Sequence, residues 1–251
     1  MLPRFFAPAL ADRDDPVAPI ALPPDEARHL TRVLRLQAGA EVALFDGRGR
    51  EFVAIVHEAV RERAIVKPVR RIEPAAEPHV RFTLVQALLK ADKLDAIIRD
   101  TTMMGVSAIR PAVTLRGNTS LAAARRPAAV ERWRRIAVSS AKQCGRAVVP
   151  EIEPAADLEV IFAADVSAAR LILAEPQLVA SGGTDVRQLQ QHPWPASATV
   201  VIGPEGGWHP REIECARRHG FAPLTLGRRT LRADAAPLVV ISVLQTIWGE
   251  F

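Results

Sequence analysis

The residues best able to do chemistry stand together near the carboxyl end, in the stretch Ala198 to Gly207, ATVVIGPEGG. The β-branched run Thr199-Val200-Val201-Ile202 predicts a buried strand, and it breaks off into Gly203, Pro204, Glu205, Gly206 and Gly207. The glycines permit positive φ and put no Cβ in the way of a bound group, while Pro204 stiffens the turn and fixes the direction of its amides. A loop of this kind at the carboxyl end of a strand is where an open α/β sheet keeps its ligands. The same spacing also serves a tight connection with no ligand at all. A second glycine turn, Leu226-Gly227-Arg228-Arg229, follows a short run from Phe221, and Leu231-Arg232-Ala233-Asp234-Ala235-Ala236-Pro237 then opens the last apolar helix. Two such loops on neighbouring strands predict a cleft lined by backbone donors and acceptors, suited to a planar, polar ligand.

Other chemistries find little support. No GxGxxG follows an early strand, which argues against an ordinary dinucleotide fold. Cys144 and Cys215 are the two cysteines, in neither a CxxC nor a His-rich setting, so neither a disulfide framework nor a zinc site is expected. His57, His79, His192 and His219 have no nucleophile or carboxylate arrangement beside them, and His209 stands where a helix opens after Trp208.

The elements that must position these loops read as follows. Residues 1–72 form a small β-rich domain, with short strands at 41–45, 52–60 and 63–69 separated by Gly47-Arg48-Gly49 and by charged turns, a meander pattern. A helix from Pro24 to Leu34 opens on prolines and acids at its favoured end, and places His29, Arg32 and Arg35 three or four apart on one basic face. Arg48 and Arg50 add charge on a nearby turn, and Phe45 and Phe52 read as core residues. Residues 73–79 form a linker within the run IEPAAEPH. From residue 80 to 251 the periodicity is that of a βαβ domain with parallel order: strand 81–88, helix 90–104, strand 106–111, helix 127–142, a short helix near 157–164, strand 171–174 ending at Glu175, a loop at Ser181–Thr184, and helix 209–219. The last helix, 237–248, is apolar around most of its girth and must be covered on more than one side, by the sheet and by a partner subunit.

Composition sets the broad class. With 251 residues and 49% apolar content the chain can bury a sizeable core, and it has no run of membrane-span length and no basic-then-apolar leader, so a cytoplasmic protein is expected. The net charge is +5 and the basic side is nearly all arginine, with lysine only at 67, 90, 93 and 142. Arginine's planar fork suits phosphate oxygens, pointing to an anionic polymer, although a GC-rich genome gives the same bias.

Taken in order, several stretches resemble the RsmE family of 16S ribosomal RNA uridine-N3 methyltransferases, in the SPOUT class: Arg4-Phe5-Phe6; His29 with Val33-Leu34-Arg35 and Gly39; Asp46-Gly47-Arg48-Gly49; Gln143-Cys144-Gly145-Arg146 before Val149-Pro150; Ile202 to Gly207; and Leu226-Gly227-Arg228 with Leu231-Arg232. The resemblance implies an α/β fold with a SPOUT-type parallel sheet and a carboxyl-terminal trefoil knot, plus a small PUA-like RNA-binding β-barrel over residues 1–72. It implies a homodimer, no metal and no membrane, acting on 16S rRNA within a small-subunit particle. It also implies S-adenosyl-L-methionine held in a bent shape by Leu173, Ala174, Glu175, Ile202, Gly203, Pro204, Gly206, Gly207, Leu226, Gly227, Leu231, Arg232 and Ala235. RNA would meet Arg4, His29, Arg32, Arg35, Arg48 and Arg146. Removing the proton from uracil N3 calls for a weak base or for positive groups that favour the anion, roles that fall to Glu205 and Arg232; for Glu205 anchoring of the loop is the stronger reading.

Three positions depart from the family's text. Met103 stands where a carboxylate is usual, Lys142 where a glutamate precedes Gln143, and Ala233-Asp234-Ala235 where a glutamate and a threonine follow. They leave open a related enzyme acting on another rRNA or tRNA nucleotide, or an RNA-binding ribosome assembly factor without catalysis.

Overall fold

The computed structural model describes residues 2–11, 18–90, 92–117, 124–179 and 183–250. Ser181 and Gly182 of the expected loop lie outside the described residues. The chain divides into two compact units, residues 1–77 with 138–149, and residues 78–137 with 150–251.

The first unit is a curled sheet in the order Arg4–Phe6, Glu41–Phe45, Glu51–Val60, Arg63–Ile72, Ile20–Ala21. The three long strands form an antiparallel meander, and Arg4–Phe6 joins it in parallel with Phe5 opposite Leu44. Alternation decides which side each residue faces. Val42, Leu44, Phe52, Ala54, Val56, Ala64 and Val66 pack inward with Phe5, Leu10 and Leu30, while Phe45 turns to the other face against Ala141 and Ala147. The turn between Glu41–Phe45 and Glu51–Val60 is held by Asp46, whose carboxylate accepts from the amides of Arg48 at 2.7 Å and Arg50 at 3.0 Å.

The expected helix from Pro24 to Leu34 is two pieces. An α-helical turn, Pro24–Arg28, runs into a wider π turn, His29–Val33, and Leu34 donates its amide to the carbonyl of His29. Arg35 then takes φ 52°, a left-handed conformation that ends the helix. Arg35 therefore does not share a helical face with His29 and Arg32.

The second unit is built on an all-parallel sheet ordered Thr184–Asp185, Ala222–Thr225, Ala169–Leu173, Ser197–Ile202, Arg81–Ala87, Ala108–Val113, Glu151–Ile152, with Ala156–Asp157 also on Ala108–Val113. Its central strands are near-continuous apolar runs because both faces are covered. Val85, Ile172 and Val201 meet Ile161, Phe162, Ile213 and Phe221 on one side. The helix Ala236–Ile247 buries Val240, Ile241 and Leu244, and leaves Val239 38% exposed. No described helix is long and apolar enough to cross a membrane.

This is an α/β fold with a curled amino-terminal sheet and a parallel carboxyl-terminal sheet, and it corrects the expected SPOUT-type sheet with a trefoil knot and closed β-barrel. Among the described residues the end strands Arg4–Phe6 and Ile20–Ala21 do not pair with each other, so the curled sheet stays open. The expectation rested on loop motifs. These constrain local turns, and say little about the path the chain takes between them.

Candidate functional site

Three neighbouring parallel strands end at the same edge of the second sheet, at Leu173, Ile202 and Thr225. The loops that leave them enclose a cleft of about 430 Å³, within the usual size of small-molecule sites. Its walls include Leu173, Ala174, Glu175, Ile202, Gly203, Pro204, Gly207, Leu226, Gly227, Leu231 and Arg232, residues that the family resemblance assigned to the cofactor. Gly206 and Ala235 are not among the lining residues. A Cβ on Gly206 would sit 3.2 Å from the Cβ and the carbonyl oxygen of Arg116, so that side of the glycine faces a neighbouring loop.

The glycines do different jobs. Gly207 has φ 69° and Gly227 φ 84°, where a side chain is strained, whereas Gly203 and Gly206 do not have positive φ. Gly203 is needed for close approach: a Cβ there would lie 2.9 Å from the Trp208 ring. Trp208 is 2% exposed, and its indole Nε1 donates to the Leu173 carbonyl at 2.7 Å, tying the second loop to the first. Next to it, Glu212 is 6% exposed and accepts from the amides of Leu115 (2.8 Å) and His209 (2.9 Å). His209 in turn accepts from the Arg211 amide through Nδ1 at 3.2 Å, so it caps the helix Pro210–Arg218.

The charges converge at one side of the cleft. Lys93 donates to Glu205 at 2.9 Å and stands 3.9 Å from Asp234, and Arg232 holds Asp234 through Nε at 3.1 Å and Nη2 at 2.9 Å. Burial pushes the Glu205 carboxyl up, but the Lys93 hydrogen bond, backbone amides and the Lys93 charge outweigh it, so its pKa lies below the ordinary value. The Arg232 hydrogen bond holds Asp234 low as well, and Asp234 raises Arg232. A carboxylate whose pKa is lowered by a lysine is a weak proton acceptor. Glu175 has Oε2 buried with no hydrogen-bond partner among the described residues, an acceptor left for a ligand donor. Beside Gly227 there is no atom within 4 Å of where a Cβ would stand, so open space adjoins the loop there.

The residues assigned to RNA lie in the first unit, and two are internal. Arg4 is 9% exposed; it donates to Glu51 at 2.8 Å and to the carbonyls of Ala141, Lys142 and Arg146 at 2.9, 3.0 and 3.0 Å, with its guanidinium 4.7 Å from the Phe45 ring centroid. Arg146 is 5% exposed and pairs with Glu77. His29 is half-buried edge-on to Phe5, and burial followed by the nearby Lys142 lowers its pKa. Arg32 and Arg48 are exposed, Arg32 pairing with Glu62 at 2.9 Å.

Sequence reasoning missed Lys93 and gave Trp208 no place in the site. Lys93 lies about 110 residues before Glu205, and no spacing rule joins them; Trp208, next to Gly207, was legible as a bulky side chain beside glycines. Among the described residues no group of three or more His, Cys, Asp or Glu side chains is placed to hold a metal ion.

Fold and cleft together define an RNA methyltransferase: the family of RNA methyltransferase domains matches residues 76–245, and the RNA methyltransferase PUA domain matches residues 22–69. The ribosomal RNA small subunit methyltransferase E of Synechocystis sp. is 32% identical over 238 residues, 92% of this chain and 74% of the relative. The chain belongs to that family, ribosomal RNA small subunit methyltransferase E. Its fold is shared with the crystal structure of the Neisseria gonorrhoeae member bound to S-adenosyl methionine, 29% identical with a TM-score of 0.85 and full coverage of both chains at 100%. A Legionella pneumophila structure in complex with the bound cofactor SAM matches at 28% identity and a TM-score of 0.87, over 98% of each chain.

Proposed function

We propose that this enzyme methylates N3 of a uridine in 16S ribosomal RNA, as a cytoplasmic homodimer acting on a small-subunit particle, with residues 1–72 gripping the RNA. It is an S-adenosylmethionine-dependent methyltransferase. The observation that carries the reading is the three-loop cleft, whose open glycine and unpartnered Glu175 oxygen fit a ligand bearing hydrogen-bond donors.

S-adenosylmethionine, when bound, supplies an electrophilic methyl group. In this reading the backbone of Leu226 and Leu231 meets the adenine edge, and Glu175 accepts from a hydroxyl or ammonium of the donor. Trp208 and Pro204 keep the wall rigid and dry, which holds the reacting atoms in line. Arg232, 78% exposed on its side chain, faces outward with a charge available to a uracil oxygen as the ring gives up its N3 proton to solvent water. Glu205 and Asp234 hold Lys93 and Arg232 in place.

The test is nucleoside mass analysis of 16S rRNA from a strain lacking the gene. Loss of N3-methyluridine is expected. Its persistence, with a different methylated nucleoside missing, would reassign the target base.

A further inference from the structure

Lys93 is one of four lysines in a chain whose other 29 basic residues are arginine, and it begins the helix Lys93–Met103 at the edge of the cleft. A lysine presents a compact point charge with rotatable donors, where arginine presents a fixed fork. Here one ammonium serves two carboxylates on separate loops, Glu205 at 2.9 Å and Asp234 at 3.9 Å. Glu205 belongs to the loop after Ile202, and Asp234 to the loop that ends at the last helix. Asp234 is also held in two places by Arg232, so a chain of four charges runs across the cleft's rim.

The charges that line the cleft are Lys93, Arg229 and Arg232 against Glu175, Glu205 and Asp234, a balanced set. Without Lys93 these lining residues would carry one surplus negative charge where a polyanion must approach. The side chains of Lys93 and Glu205 are each 34% exposed, and pairs this open add little to folding stability. The consequence of this bridge therefore falls on what the cleft admits.

Resting on the reading above, in which the cleft takes a methyl donor and an RNA strand, we propose that Lys93 is a positioning residue for the reaction: it ties the Glu205 loop to the Asp234 loop and offsets their charge so that RNA can enter. It touches neither the methyl group nor the base; it acts through the two carboxylates and, by way of Asp234, on Arg232.

The test uses the full-length enzyme with Lys93→Met, Lys93→Arg, Glu205→Gln and the pair Lys93→Met with Glu205→Gln. Cofactor binding is followed by calorimetry with S-adenosylmethionine, and methylation by steady-state kinetics on small-subunit particles from a strain lacking the gene. Lys93→Met is expected to lower kcat/KM for the particles by about tenfold, mostly through KM, with cofactor affinity within about twofold and an unchanged melting temperature. Lys93→Arg should recover to within about threefold, since charge matters more than shape for entry. On the Glu205→Gln background the same lysine change should cost less than about twofold, because there is one fewer carboxylate to offset. Wild-type kcat/KM in Lys93→Met overturns the proposal, and so does equal loss of cofactor and particle binding with a lower melting temperature. Failure of the unaltered enzyme to bind S-adenosylmethionine would instead overturn the underlying reading of the cleft.

Discussion

Replacing Gly203 with alanine tests whether the cleft is built on the contact between this glycine and Trp208. The added methyl would meet Cε2, Nε1 and Cζ2 of the indole at 2.9, 3.1 and 3.2 Å, all closer than ordinary van der Waals contact. The ring has nowhere to retreat, being 2% exposed and fixed by its bond to the Leu173 carbonyl at 2.7 Å. Overpacking of this kind costs about 1–3 kcal/mol, and loss of the indole hydrogen bond adds about 1 kcal/mol. At about 2–4 °C per kcal/mol for a unit of this size, the melting temperature should drop by roughly 4–16 °C. Because Leu173 and Trp208 both line the cleft, calorimetric affinity for S-adenosylmethionine should fall with it, by about tenfold for each 1.4 kcal/mol that reaches the bound state. Gly227→Ala is the contrast: its methyl meets no atom within 4 Å, so only the φ of 84° is penalised, at about 1–2 kcal/mol, while the methyl intrudes on ligand space. That variant should lose cofactor affinity with a smaller thermal shift. A Gly203→Ala protein that keeps both its melting temperature and its affinity would refute the argument.

Arg4→Met should destabilise the protein by about 3–5 kcal/mol in denaturant unfolding, since it strands Glu51, 5% exposed, without its partner. Adding Glu51→Gln should recover part of that; intact stability with lost RNA affinity would restore Arg4 as an RNA contact. Arg232→Ala should leave the melting temperature alone, its side chain being 78% exposed, and reduce turnover more than cofactor affinity, as single-turnover kinetics will show. The Glu205 carboxyl has a folded pKa below its ordinary 4.5, so the tie to Lys93 is fully present above about pH 4.5 and is lost as pH falls through the folded value. Methylation rates should therefore show no titration from Glu205 between pH 6 and 8, and a limb in that range abolished by Glu205→Gln would make it a base after all.

Much of the scaffold was legible because it follows simple periodicities. Glu41–Phe45 was placed to the residue, and the runs at 81–87 and 197–202 were bounded to within a residue or two by their apolar and β-branched content, the second also by the glycine that follows it. The helix Pro127–Cys144 and the apolar last helix were plain for the same reason. The single helix read from Pro24 to Leu34 was not what the chain forms, because nothing in its spacing marks where the turn widens at His29 or where Arg35 turns left-handed. Arg4 and Arg146 look like surface arginines in sequence; what places them inside is a set of carbonyls and two glutamates between 47 and 142 residues away. The cleft's glycines could be found from composition alone, but Lys93 could not, since its partners arrive only through the sheet.

The guanidinium of Arg4 has a consequence for the order in which this protein is made. It is satisfied by carbonyls at Ala141, Lys142 and Arg146, and the Phe45 face it overlies is closed by Ala141 and Ala147. On the ribosome, then, the first-translated strand waits for some 140 residues of later chain before its buried charge finds all its partners. Contacts so distant in sequence are slow to close and leave intermediates exposed, so the amino-terminal unit cannot finish as a self-contained early product of translation.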